Sequence, residues 1–187
     1  MKYLVAAAIA AIFAAAPAVA FDGVTYRVEA HGGWERVSVG GGSDDGAFYG
    51  VGVGIDVPLS STMFIGFEGN ADLSGVKDCE RDVFAFGDRY CVKAKRDLSA
   101  VARIGADIGG GTKLYVLGGY TNARIAESYN GPLGSFGLTT NGNGVRVGAG
   151  TEIKLGKSAY TKLEYRYSNY EGGYERHQLV AGLGFGL

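Results

Sequence analysis

Gly144-Val-Arg-Val-Gly-Ala-Gly-Thr-Glu-Ile-Lys-Leu155 is followed, after the short link Gly156–Ser158, by Ala159-Tyr-Thr-Lys-Leu-Glu-Tyr-Arg-Tyr-Ser-Asn-Tyr170. The reading of this stretch decides the fold. Its first half sets Val145, Val147, Ala149, Ile153 and Leu155 against Arg146, Gly148, Gly150, Glu152 and Lys154. Its second half sets Leu163, Tyr165 and Tyr167 against Lys162, Glu164, Arg166 and Ser168. A period of two is the mark of strands with unlike faces, and the small link reads as a tight hairpin turn.

Working outward, the same rhythm recurs along the chain. Tyr49, Val51, Val53, Ile55 and Val57 alternate with Gly50, Gly52, Gly54 and Asp56, and Ile65, Phe67 and Ala71 with Gly66, Glu68, Asn70 and Asp72. Leu98, Ala100, Ala102, Ile104, Ala106 and Ile108 oppose Ser99, Val101, Arg103, Gly105 and Asp107. Leu179, Ala181, Leu183, Phe185 and Leu187 close the series against Gln178, Val180, Gly182, Gly184 and Gly186. Val24–Val39 alternates up to Gly32-Gly33, where a bulge that switches register is expected. Lys113–Ala123 is apolar on both faces, so its facing is left open. Eight strands are expected. Short links (Pro58–Ser61, Gly109–Thr112, Gly156–Ser158) alternate with longer or more polar ones (Gly40–Gly46, Ser74–Lys95, Glu127–Asn143, Glu171–Tyr174). That is the plan of an up-and-down antiparallel transmembrane barrel, with both termini on the tight-turn side.

The two faces say which solvent each meets. A water-soluble barrel needs a bulky apolar interior. Here that interior would be lined by Ala and Val at many positions, a loose core. With the apolar set turned to lipid, a lumen of eight strands is just wide enough for side chains to fill. Glycine then makes room while opposite charges pair across the space, which accounts for 33 Gly in 187 residues. Glu68, Arg103, Arg146, Glu152, Glu164 and Arg166 are expected to form this lumen network, and Tyr26, Tyr49, Phe67, Tyr165, Tyr167 and Phe185 the lipid-facing aromatic girdles. Buried charges must be paired, so a structural network outweighs a catalytic site.

Composition narrows the function. A formal charge of −1 lacks the basic stripe that nucleic-acid binding requires. Lys2, the apolar run Leu4–Phe13 and Ala18-Val19-Ala20 read as a cleaved export signal over residues 1–20, leaving a single mature domain over 21–187. The Leu4–Phe13 run is too short to span a bilayer. Export permits a disulfide, and Cys79 and Cys91 share the loop Ser74–Lys95. Closing it restricts the unfolded chain by on the order of 3 kcal/mol. A metal site would need more ligands, and that loop has no His. No cofactor or metal is expected.

His31 and His177 are the only histidines. Small barrels that modify lipid A use His with Ser in a His-x-Ser or an Asp-Ser arrangement. Neither His31-Gly32-Gly33 nor His177-Gln178-Leu179 matches, and the chain has no Asp-Ser pair, so no enzyme is expected.

The run Lys162–Tyr170, with His177-Gln-Leu-Val-Ala-Gly-Leu-Gly-Phe185, resembles the opacity-porin-like (Omp25-type) family of small outer-membrane β-barrels. Gly144–Glu152 and Phe67-Glu68-Gly69 share that family's inward Gly/Glu rhythm. Such proteins usually end in Phe, whereas this one ends Phe185-Gly186-Leu187 and keeps only the alternation. The resemblance implies an abundant surface protein of the Gram-negative outer membrane, with roles in envelope integrity and sometimes host-surface contact. Its implied partners are outer-membrane lipids, lipopolysaccharide and, through the C-terminal strand, the barrel-assembly machinery. No catalytic residues carry over. A structural or surface-interaction role is expected, with a narrow ion or solute channel and a host-surface adhesin as alternatives.

Overall fold

The computed structural model describes residues 23–132 and 134–187. The expected export signal lies outside the described residues. Among the described residues nine strands run β1 Thr25–Val39, β2 Gly42–Pro58, β3 Met63–Ser74, β4 Lys77–Arg81, β5 Arg89–Gly109, β6 Thr112–Gly131, β7 Gly134–Lys154, β8 Ala159–Tyr170 and β9 Tyr174–Gly186. All pairings are antiparallel. The order is β3-β2-β1-β9-β8-β7-β6-β5-β4, and an additional β3–β5 pairing closes the ring. The expectation of eight strands therefore needs one correction. β4 lies in the loop Ser74–Lys95, continues past the end of β3 and pairs only with β5.

Period two becomes geometry throughout. Arg146, Glu152, Glu164 and Arg166 point into the ring at 4% exposure or less, while Val147, Ile153, Leu163 and Tyr165 are 44–54% exposed on its outside. The open facing of Lys113–Ala123 is resolved: Tyr115, Leu117, Thr121 and Ala123 turn inward, and Leu114, Val116 and Tyr120 outward.

Two local expectations fail. Gly32-Gly33 carries no bulge, because the β1 registers with β2 and β9 run through without a shift. What the pair provides is close approach: a Cβ on Gly33 would sit 1.9 Å from the Leu179 carbonyl oxygen. The register shifts fall instead on β5–β6, between Ala94 and Asp97 and between Asp107 and Gly109. Likewise Gly42–Gly46 and most of Glu127–Asn143 are paired strand. β2 starts at Gly42, and β6 and β7 are 20 and 21 residues long. A bilayer-spanning strand needs only about 9–11 residues. The long hairpins therefore stand well clear of the membrane, where both faces meet water and alternation loses its meaning.

Lumen-facing glycines set the available space. A Cβ on Gly66 would lie 2.3 Å from Asp56 Oδ1 and 2.8 Å from the Ile55 carbonyl, whereas the outward Gly69 has nothing nearer than 3.9 Å. Gly66→Val is expected to destabilise the barrel by about 1–3 kcal/mol through overpacking, with Gly69→Val near neutral. Urea titration in detergent micelles, read by heat-modifiable gel migration, checks the contrast.

Candidate functional site: the charged lumen and the outer hairpins

Three tiers of side chains fill the ring. At the end carrying the termini, Arg27 donates to Glu152 Oε1 at 2.8 Å and Glu68 Oε2 at 2.5 Å. Arg103 binds Asp56 through Nε and Nη2 at 3.0 and 2.9 Å, and reaches Glu152 at 2.6 Å. Its guanidinium also lies 4.5 Å from the Tyr115 ring centroid and 4.9 Å from that of Phe64. Buried Phe64, Val101, Tyr115 and Leu117 pack together there, and the Tyr115 hydroxyl donates to Glu164 at 2.6 Å.

In the middle tier Arg166, fully buried, donates to Glu164 and to Asp72 Oδ2 at 3.3 Å. Lys162 pairs with Glu29 and lies 3.5 Å from Glu68 and 3.7 Å from Glu164. His31 bridges Glu29 (Nδ1, 3.0 Å) and Asp72 (Nε2, 2.7 Å). A ring carrying both protons satisfies both contacts, since each nitrogen is then a donor.

The outer tier centres on Asp97. It accepts from Arg146 (2.6 Å), Arg176 (2.9 Å), Tyr170 (2.6 Å) and Thr121 (2.5 Å). Arg146 further donates to Ser168 and Ser99. Above it, Glu35 is held by Ser74, Gln178 and, at 3.6 Å, Arg176.

All six residues expected in the network thus lie in the lumen within linked ion pairs. The network also takes in residues beyond the expected six: Asp72 and Lys162, which alternation already sets on the polar face, and Glu35, Asp97, Tyr115 and Tyr170. Parity was the available signal: Asp72 sits four residues beyond Glu68 on β3, and Lys162 two before Glu164 on β8. Asp107, grouped with the lumen face, instead accepts from the Gly109 amide in an exposed turn.

Of the proposed girdle residues, Tyr26 and Phe185 lie next to the terminal ends of β1 and β9. Tyr49, Tyr165 and Tyr167 lie toward the opposite end, and Phe67 stands four residues into β3, amid the outward apolar band. Trp34 and Tyr120 are further outward aromatics, 44% and 52% exposed. Trp34 escaped notice because a switch at Gly32-Gly33 would have reversed its facing.

Outside the ring, Cys79 and Cys91 face one another across β4–β5 and are joined by a disulfide. Asp88 closes the adjoining tip. Its carboxylate accepts from the amides of Val83, Phe84 and Ala85 at 2.7–2.9 Å, while Asp82, at φ 59°, accepts from the Gly87 amide. Desolvation raises the Asp88 pKa, but the amide hydrogen bonds of Phe84, Val83 and Ala85 outweigh it, leaving the carboxyl below its ordinary value. Among the described residues no group of three or more His, Cys, Asp or Glu could hold a metal.

A closed antiparallel ring with an apolar wall and ion-paired lumen defines a β-barrel of the outer-membrane type. The chain belongs to the family described as outer membrane protein beta-barrel domain, whose model matches residues 4–186, and it is a Gram-negative outer-membrane protein. No curated protein sequence matches it significantly. Among solved structures it is similar to Ail, the attachment invasion locus protein of Yersinia pestis, crystallised with the heparin analogue sucrose octasulfate. There the identity is 13%, the TM-score 0.63, and 89% of this chain and 100% of that one are covered. Neisserial surface protein A is similar at 14% identity and TM-score 0.59, covering 88% and 99%. A major outer membrane protein of Thermus thermophilus follows at 9% and 0.56, covering 89% and 100%. At these identities the likeness is one of fold.

Two outcomes follow from the site. Arg166→Met removes the main cation of Glu164 and one of the partners of Asp72, and is expected to cost about 3–5 kcal/mol in micelle unfolding titrations. For Asp88, a depressed folded pKa means its stabilisation of the tip is present above the ordinary carboxyl value of about 4 and is lost as pH falls through the folded value. Limited proteolysis should therefore cut the 82–88 tip only under strong acid, and Asp88→Asn should make it cleavable at neutral pH with the barrel still heat-modifiable.

Proposed function

We propose that the chain is a structural and surface-presenting barrel with a sealed lumen and no catalytic activity. One observation carries this reading: the lumen is filled by mutually paired side chains. A cavity of about 370 Å³ opens at the terminal end, lined by Arg27, Lys113, Glu152 and Tyr160 among others. Another, of about 340 Å³, opens at the hairpin end, lined by Val37, Val76, Tyr90, Glu127 and Tyr174 among others. The two share no lining residue. Between them stand Arg166, Gln178 and Val180, each at 0% exposure.

The absence of catalysis is supported by the histidines. His31 is clamped between Glu29 and Asp72, and the His177 ring nitrogen Nδ1 lies 2.6 Å from the Tyr165 hydroxyl. Surface presentation is supported by the hairpins, where Phe84, Phe86 and Phe136 are 61–93% exposed. In this reading residues 1–20 export the chain, and the assembly machinery engages β9, which closes the ring against both β8 and β1. Leu187 adds two backbone hydrogen bonds to Tyr26 there.

Planar-bilayer recording of the refolded barrel tests the seal. No discrete conductance steps are expected from the wild type. Regular steps of fixed size would replace this reading with that of a narrow channel.

A further inference from the structure

Just outside the apolar band, the outer wall of β3–β6 changes from greasy to cationic. On β5 the outward series Ile108, Ile104, Leu98 is succeeded by Lys95, Lys93 and Arg89. Across the ladder Lys77 lies opposite Lys93, and Arg81 opposite Arg89. Like charges directly opposite one another destabilise a sheet unless something anionic neutralises them. No carboxylate among the described residues does so. Lys77, Lys93 and Lys95 make no ion pair among the described residues, and Asp78 and Glu127 sit on the reverse face, in the mouth cavity. Arg124 is outward on β6, hydrogen-bonded to Asn141, and in the bulge Arg96 leaves Nη1 buried without a partner.

Height identifies the anion. A tilted strand climbs roughly 2.5 Å per residue along the barrel axis. Lys95 and Lys93, three and five residues beyond Leu98, thus stand in or just above the headgroup layer, and their long stems let the ammonium groups reach down to it. Directly below, the outer wall holds an apolar hollow of about 710 Å³ lined by Val53, Ile55, Phe67, Gly69, Ala100 and Gly118 among others. Small side chains there leave space for an acyl chain.

We propose that Lys77, Lys93, Lys95 and Arg124 bind the phosphorylated sugar headgroup of lipid A, with an acyl chain seated in the hollow below. A soluble polyanion would meet the cations but gain nothing from the hollow. The site rests on the membrane placement of the barrel and not on the seal of its lumen, so conduction and lipid binding succeed or fail separately.

The test measures binding of purified bisphosphorylated lipid A, and of the same lipid after enzymatic dephosphorylation, to the full barrel in neutral detergent. Removing one cation facing an anionic surface weakens binding about fivefold. The combined Lys77→Gln, Lys93→Gln, Lys95→Gln, Arg124→Gln protein is therefore expected to bind at least ~10-fold more weakly. Dephosphorylated lipid should bind the wild type with a similar loss, and the three Lys→Arg changes should keep affinity. Ala102→Phe, beside the hollow, should weaken lipid A binding while leaving that of a heparin fragment unchanged. If the combined variant does not fold, Lys93→Gln and Lys95→Gln are measured singly. Undiminished binding by a heat-modifiable charge-neutral variant overturns the proposal. So does a heparin fragment that displaces lipid A at lower concentration than lipid A itself.

Discussion

Hydrocarbon offers a backbone amide no hydrogen-bond partner, and the rest of this architecture follows from that constraint. An open sheet would leave a row of unpaired N–H and C=O groups at each edge. The β3–β5 pairing removes both edges by joining the first half of the chain to the second. Once the sheet is closed, its outer face is committed to lipid, and the polar side chains of every strand have only the interior left. The core of this protein is therefore ionic rather than oily.

An ionic core obeys a strict rule: no charge can stand alone in it. The carboxylates Glu29, Glu35, Asp56, Glu68, Asp72, Asp97, Glu152 and Glu164 outnumber the buried cations Arg27, Arg103, Arg146, Lys162, Arg166 and Arg176 by two. The doubly bonded His31 ring and Lys113, 3.8 Å from Asp56, lie where that excess is met. Asp72 and Asp97 face each other directly across β3–β5, and Arg146 spans them. Such pairs contribute little net stability against a hydrophobic replacement, yet breaking one is costly. Their effect is to hold the filled lumen in one arrangement. The glycines of β2 and β3 make that arrangement possible, since a Cβ at Gly50, Gly52 or Gly66 would meet the side chain of Asp72, Asn70 or Asp56 within 2.6 Å.

How much of this was legible in the sequence depends on what alternation encodes. Period two reports which face a residue takes, so the ring, its polarity and the inward placement of Glu68, Arg103, Arg146, Glu152, Glu164 and Arg166 could be read directly. It does not report which inward residue meets which, because partners such as Arg27 and Glu152 are 125 positions apart in the chain. It also fails where both faces are wet, which is why the extensions of β6 and β7 read as loops and β4 was not seen. At Gly32-Gly33 glycine was credited with a bulge, although its use there is steric, against Leu179.

Before alternation fades in the outer parts of β6 and β7, it first inverts above Leu98 on β4 and β5. Below that level the inside is charged and the outside apolar. Above it, Val37, Val76, Ala94, Ala123, Tyr170 and Tyr174 form an apolar cluster inside the mouth, while the outer faces of β4 and β5 carry Lys77, Arg81, Arg89, Lys93 and Lys95. A sheet in water buries its greasy face, and a sheet in lipid exposes it. The reversal therefore marks, within a few residues of the β5 bulge, the level at which the strands leave hydrocarbon. The Cys79–Cys91 bond lies just beyond that level, where β4 has a single neighbour and no longer belongs to a closed ring. A covalent link there does for β4 what ring closure does for the strands in the membrane: it keeps a free edge from peeling away.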